Sequence, residues 1–242
     1  MNTLEKLYDI RNKCLSNNPD FLKKKANKLL VELGKMNYSY NFDWFGFPII
    51  QLPQDILAFQ EIIYQTAPTI IIEIGIAHGG GVIFYASMLN LFLIKGRVLG
   101  IDILIHECNR KLIEAHPLSN TISLLKGSSV SNVIYKQVCN FISKKDRVMV
   151  IFDSNHTHDH VLNELKLYAS LVTKGCYMIV MDTAIEDMPS NYFPNKPWGK
   201  GNNPKTAVRE FLKYNSNFVV DTNIENKLII TAAPNGYLKC VK

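Results

Sequence analysis

With 242 residues, 47% hydrophobic and 20% charged, the chain has the balance of a globular protein with one substantial core. Its net charge of +6 is spread out, and no aromatic interleaving or nucleic-acid motif accompanies it, which excludes a dedicated DNA- or RNA-binding protein. The longest apolar run, Val82 to Ile94, is broken by Tyr85, Ser87 and Asn90 and is too short to cross a bilayer.

The N-terminal MNTLEKLYDIRNK carries charges where a secretory leader needs an apolar core. Five scattered cysteines (Cys14, Cys108, Cys139, Cys176, Cys240) form no C-x-x-C pair, as expected of reduced thiols in a cytoplasmic protein. Residues 3–37 read as one or two helices with Asn18-Pro19 as the break. Lys23, Lys24, Lys25 and Lys28 fall there as a solvated helix face. An aromatic stretch follows, NYSYNFDWFGFPIIQLP, so that residues 1–45 form an extension, lid or oligomer contact, ahead of a domain at 46–242.

Apolar, β-branched runs then recur at Thr69–Ile74, Arg97–Ile103, Thr121–Leu125, Arg147–Phe152 and Tyr177–Met181. Helical segments near 79–93, 107–116, 130–142 and 159–172 separate them. Near-continuous apolar strands alternating with helices predict an α/β fold with a parallel sheet covered on both faces. After a helix near 205–214, FVVDTNIENKLIIT reads as two strands joined by a short loop, adding an antiparallel strand. About seven strands in this arrangement are expected of a Rossmann-like class I methyltransferase.

Ligands of such sheets bind outside the carboxyl ends of the strands. The first strand ends in IIIEIGIAHGGG, with Glu73, Gly75, Ala77, His78 and Gly79 at or just beyond its tip. The dinucleotide fingerprint G-x-G-x-x-G is absent, because Ala77 stands at its second glycine. A longer loop of this kind suits a cofactor without a pyrophosphate, such as S-adenosylmethionine (SAM), or is simply a permissive turn. Asp102 ends the second strand, 29 residues after Glu73, and can accept the ribose hydroxyls of NAD or SAM alike. Ser128 and Ser129 follow the third strand, placed to cap a helix or touch an adenine.

The fourth strand runs into FDSNHTHDH. H-x-H-x-D-H is one residue too long to match it, and Thr157 replaces the glutamate of H-E-x-x-H. Asp153, Asn155 and, after the fifth strand, Asp182 can converge as hard oxygen ligands of the kind Mg²⁺ prefers. His156 and His160 are spaced i, i+4 on one helical face, and His156, nearest the strand tip, is the candidate base or acceptor contact.

The segments WFGFPIIQLPQD, IIEIGIAHGGGVIFYASML, GIDI, GSS, FDSNHTHDHVLNELKLYASLVTKGCYMIVMDT, GNNPKTAVREFL and TAAPNGYLK occur in one order from Trp44 onward. In this the chain resembles the cephalosporin hydroxylase family of SAM-dependent O-methyltransferases, whose members methylate hydroxyls of antibiotics and sugars. The resemblance implies SAM held by the glycine loop and Asp102, and Mg²⁺ held by acids after the fourth and fifth strands. Two departures stand out: the family's D-S-D-H has Asn155 for its second aspartate, and its E-D-T has Met181 for its glutamate. Two carboxylates are thereby lost, and thioether sulfur is a poor Mg²⁺ ligand.

The reading is a SAM-dependent O-methyltransferase of a small-molecule or glycan hydroxyl, forming a homo-oligomer, with His156 and Asp153 catalytic. The aromatic segment 38–47 and the Pro-rich PSNYFPNKPWGKGNNP would close over the pocket or pack between subunits. Alternatives are a non-catalytic or metal-independent member acting as a binding module, an NAD-dependent oxidoreductase, and an iron hydroxylase built on His156, Asp159 and His160.

Overall fold

The computed structural model describes residues 3–16 and 20–242; the expected break at Asn18-Pro19 lies outside them. Two helices, α1 (Thr3–Ser16) and α2 (Asp20–Lys35), precede a 3-10 turn at Tyr38–Asn41 and a small hairpin of β1 (Asp43–Trp44) and β2 (Phe47–Pro48). Then come α3 (Pro53–Thr66), β3 (Ile70–Ile74), α4 (Gly80–Leu91), β4 (Arg97–Asp102), α5 (Glu107–Ala115), β5 (Ile122–Lys126) and α6 (Asn132–Phe141). The remainder is β6 (Val148–Phe152), α7 (His158–Tyr168), β7 (Tyr177–Val180), α8 (Pro204–Tyr214), β8 (Phe218–Val220), α9 (Thr222–Leu228) and β9 (Tyr237–Cys240).

Seven strands form one sheet in the order β5-β4-β3-β6-β7-β9-β8, parallel except for β9, which is antiparallel to both its neighbours. Every residue of β3 (IIIEI) and β6 (VMVIF) is buried, because helices cover both faces of the central strands. Each such Ile or Val side chain contributes about 1.5–3 kcal/mol by leaving water. The chain leaves β3 toward β4 on one side and later returns to β6 on the other, so the switch in strand order lies at β3 and β6. A crevice opens there, at the carboxyl ends.

Two local expectations need correction. The segment KLIIT is not a strand. The Asp221 side chain accepts a hydrogen bond from the Asn223 N–H and starts α9, while Ile224 and Leu228 pack against the core. The antiparallel strand is the later YLKC of β9. Likewise Ser131, not Ser128 or Ser129, caps α6 by accepting from the Ile134 N–H.

Buried Asp55 in α3 ties the C-terminal segment to the core, accepting from the Tyr237 hydroxyl at 2.6 Å, the Ala232 N–H at 2.9 Å and the Thr231 hydroxyl. The first hairpin packs on α4, where the Trp44 indole N–H donates to Ser87 Oγ at 2.9 Å and its ring meets Phe84 edge-on. The hairpin that spans residue 45 is thereby docked on α4. Among the described residues, no helix is long and apolar enough to cross a membrane.

Candidate active site

The turn leaving β3 has three residues with positive φ: Gly75 (92°), Ala77 (44°) and Gly79 (93°). At Gly75 a side chain is barred by space as well as by φ, since a Cβ would sit 2.2 Å from the Asp153 carbonyl oxygen. Asp102, at the tip of β4, braces this turn. Its Oδ2 accepts from the N–H groups of Ile76 (2.9 Å) and Ala77 (3.3 Å), and its Oδ1 accepts from Leu104 N–H at 3.0 Å.

Two cavities meet at the turn. The first, ≈ 360 Å³, is lined by Gly75, Ala77, Asp102, Ser128, Ser129, Asp153, Asn155 and His160, among others. The second, ≈ 540 Å³, is walled by Tyr38, Tyr40, Tyr192, Phe193 and Trp198 and floored by Glu73, Asp153, His156 and Asp182. Gly75, Ala77 and Asp153 line both. Asp102 lines the first cavity and Glu73 the second, on either side of the shared turn. His78, expected beside the cofactor, lies exposed at the crest and lines neither cavity; Gly79 is buried against Ile113 and Phe47.

The floor of the second cavity is electrostatically loaded. Burial, with repulsion from Asp153 and Asp102, pushes the Glu73 carboxyl well above the ordinary carboxylate range. Its Oε2 is buried and has no hydrogen-bond partner. Asp153 is likewise raised, by burial first and then by Asp182, against a hydrogen bond from the Gln51 amide at 2.8 Å. His156 Nε2 lies 3.2 Å from Asp182 Oδ2, and its ring meets Trp198 edge-on with centroids 4.9 Å apart.

Asp153, His156 and Asp182 each offer a ligand atom within 4.8 Å of the others, a constellation that could hold a cation. Asn155 was expected as a further oxygen ligand. Its amide oxygen turns back to the N–H and hydroxyl of Thr157, at 2.9 and 2.8 Å, in an Asx turn that delays the start of α7 to His158. For the same reason His156 precedes the helix and does not share a face with His160. Each histidine goes to a different carboxylate: His156 to Asp182, His158 to Glu210 at 3.2 Å, and His160 to Glu164 at 3.0 Å. That divergence leaves the two-histidine, one-carboxylate iron set without a geometry. Met181 is buried in the core and offers nothing to the site.

Sequence reasoning missed Gln51, which fixes Asp153, and Trp198, which backs His156. Both sit in segments notable for aromatic and proline content, but neither position carries a local spacing signal.

A family model described as rhamnosyl O-methyltransferase/CmcI matches residues 36–241. Among curated relatives, the rhamnosyl O-methyltransferase of Mycobacterium tuberculosis (strain ATCC 25618 / H37Rv) is 28% identical over 186 residues, covering 76% of this chain and 72% of its own. That of Mycobacterium leprae (strain TN) is 26% identical over 197 residues, 81% of each chain. Among solved structures, CmcI with Mg and SAM superposes with a TM-score of 0.59 at 17% identity, over 84% of this chain and 78% of that one. An O-methyltransferase from Bacillus cereus in complex with SAH gives 0.53 at 16% identity, over 90% and 91%. At these identities the superpositions establish the shared fold. The family match spans most of the sequence, and the chain belongs to the rhamnosyl O-methyltransferase/CmcI family of O-methyltransferases.

Proposed function

We propose that this protein transfers the methyl group of SAM to a hydroxyl of a sugar or a sugar-bearing natural product. The observation that carries it is the junction of two cavities at Gly75, Ala77 and Asp153, one walled by Asp102 and serines and the other by aromatic rings. The first takes the adenosyl end of the donor and the second its amino-acid end and the acceptor. Aromatic walls fit the apolar faces of a sugar ring. Mycobacterial relatives named for rhamnosyl methylation support a deoxysugar as the first acceptor to test.

The geometry supports the following roles. Asp102 Oδ1, accepting one backbone N–H, keeps an acceptor position for a ribose hydroxyl, whereas Oδ2 is already used by the turn. The unpartnered Glu73 Oε2 receives the donor's ammonium group, which would return the carboxyl to its ionised form. SAM supplies an activated methyl on a sulfonium; the protein's task is alignment of the acceptor oxygen behind it. His156, oriented by Asp182 and Trp198, takes the acceptor's proton, with Asp153 alongside.

As an alternative to His156 acting as base, Asp153, His156 and Asp182 would hold a divalent cation, which would supply positive charge beside the acceptor hydroxyl. An imidazole in the donor set shifts preference from Mg²⁺ toward Mn²⁺ or Co²⁺. Cys108, Cys139, Cys176 and Cys240 are all free thiols, which supports a cytoplasmic setting. Residues 1–45 act as an extension whose α2 walls the acceptor cavity through Leu30, Leu33 and Gly34. Exposed Leu4, Leu7, Ile10, Phe21 and Leu22 on α1 and α2 support homo-oligomerisation, which light scattering would register.

The test is incubation with labelled SAM and a panel of rhamnosyl and other deoxysugar glycosides, followed by mass spectrometry of the products. Label in a sugar hydroxyl is the expected result. Calorimetric titration showing no SAM binding, with binding of a nicotinamide cofactor instead, overturns the reading.

A further inference from the structure

Three side chains lining the first cavity converge on one carboxylate that lines neither cavity. Glu164, in α7, is completely buried. Its Oε1 accepts the Ser129 hydroxyl at 2.5 Å and the Ser154 hydroxyl at 2.8 Å, and lies 3.0 Å from His160 Nε2. Ser129 follows β5, Ser154 follows β6 and His160 sits in the first turn of α7, so three separate elements are drawn to one oxygen. Oε2 has no partner.

A buried carboxylate is a costly way to hold a fold together, because an apolar side chain of similar volume fills the same space without desolvation. What the carboxylate does that an apolar group cannot is fix the direction of hydroxyl protons. Ser129 and Ser154 each have one proton, and both point at Glu164. The lone pairs left to face the cavity are acceptors only. At Ser129 and Ser154 the cavity therefore presents acceptors, which match the exocyclic amine of adenine and oppose the carbonyl that replaces it in hypoxanthine.

We propose that Glu164 is a positioning residue for donor specificity: by consuming the Ser129 and Ser154 protons it makes the donor pocket select an adenosyl over an inosyl group. The proposal rests on reading the first cavity as the adenosyl pocket.

The experiment is calorimetric titration of the full chain with S-adenosylhomocysteine and with S-inosylhomocysteine, for the native protein, Glu164→Gln and Ser154→Ala. The native protein should prefer the adenosyl ligand by about tenfold or more, the scale of a hydrogen bond exchanged for two opposed acceptors. Glu164→Gln presents an amide that also donates, frees the serine hydroxyls to turn, and should narrow that ratio severalfold at unchanged stoichiometry. In enzymatic assays the loss should fall on KM for SAM and not on kcat. An unchanged ratio in Glu164→Gln overturns the proposal, as does reduced stoichiometry with unchanged affinities, which marks a purely structural residue. Should Glu164→Gln fail to fold, Ser154→Ala decides: a narrowed ratio supports the proposal and an unchanged one overturns it. A native protein that binds neither ligand overturns the donor-pocket reading itself.

Discussion

His156 Nε2 and Asp182 Oδ2 stand 3.2 Å apart, joining the loop after β6 to the loop after β7 across the mouth of the crevice. The pair does two jobs. Asp182 holds the imidazole's orientation, and together with Asp153 it concentrates carboxylates at one point.

That concentration predicts cation binding. Mn²⁺ titrated into the protein should lose its free-ion paramagnetic resonance signal, with one site per chain. Asp182→Asn should weaken the site by roughly ten- to a hundredfold, the usual cost of losing one charged ligand or its close support. A signal that stays free at millimolar protein would leave His156 and the carboxylates to handle the proton without a metal.

Glu73 gives a pH-dependent prediction. Its folded-state pKa is raised above 4.5, so the folded protein holds the proton more tightly than the unfolded chain. The associated destabilisation is absent below the unfolded value and grows as pH rises from about 4.5 toward the raised folded value. Glu73→Gln should therefore melt higher than the native protein at pH 8, with the gap closing near pH 4. The same variant should bind SAM about ten- to a hundredfold more weakly, having lost the charged partner of its ammonium group. Paired melting curves across that range, with and without SAM, check both halves.

Gly81 is a point of close approach. A Cβ there would fall 1.8 Å from Glu73 Oε1. Gly81→Ala should destabilise the protein by about 1–3 kcal/mol, the usual cost of overpacking, and should weaken SAM binding because Glu73 is the group that must move. Gly199→Ala is the control for the same change without a clash, since a Cβ at Gly199 meets nothing within 4 Å and its φ lies outside the left-handed region. Chemical denaturation and titration would separate the two effects.

Trp198 backs His156 and walls the larger cavity, proposed above to take the acceptor. Trp198→Ala should raise the acceptor KM by roughly threefold to tenfold, on the scale of one aromatic contact, and leave the KM for SAM near its native value. A change in the SAM term alone would move Trp198 to the donor side.

The parallel sheet was legible because its strands are buried on both faces and so read as unbroken apolar runs, as in IIIEI and VMVIF. Residues at strand tips were legible for the same reason: Glu73, Asp102, Asp153 and Asp182 follow directly from where the runs stop. The histidines were not. Their destinations depend on an Asx turn at Asn155 that shifts the helix start, and on partners in α8 and after β7 that no local spacing reveals. The final strands misled because Asp221 can cap a helix or sit in a turn, and only packing of Ile224 and Leu228 decides. Gln51 was invisible because its partner Asp153 is 102 positions away, and Glu164 because one of its partners, Ser129, is 35 positions away on another element.

Tyr192 donates its hydroxyl to the Val31 carbonyl at 3.2 Å, stitching the Pro-rich segment onto α2 over the larger hollow. On the proposed reading, the donor side is lined by residues from β3 to the first turn of α7, whereas the acceptor side borrows its cover from the two stretches that Tyr192 fastens. Grafting either stretch from a relative should therefore retune which alcohol is decorated while sparing the machinery that delivers the methyl. For engineering, that single phenol marks the seam between a reusable chassis and an exchangeable roof.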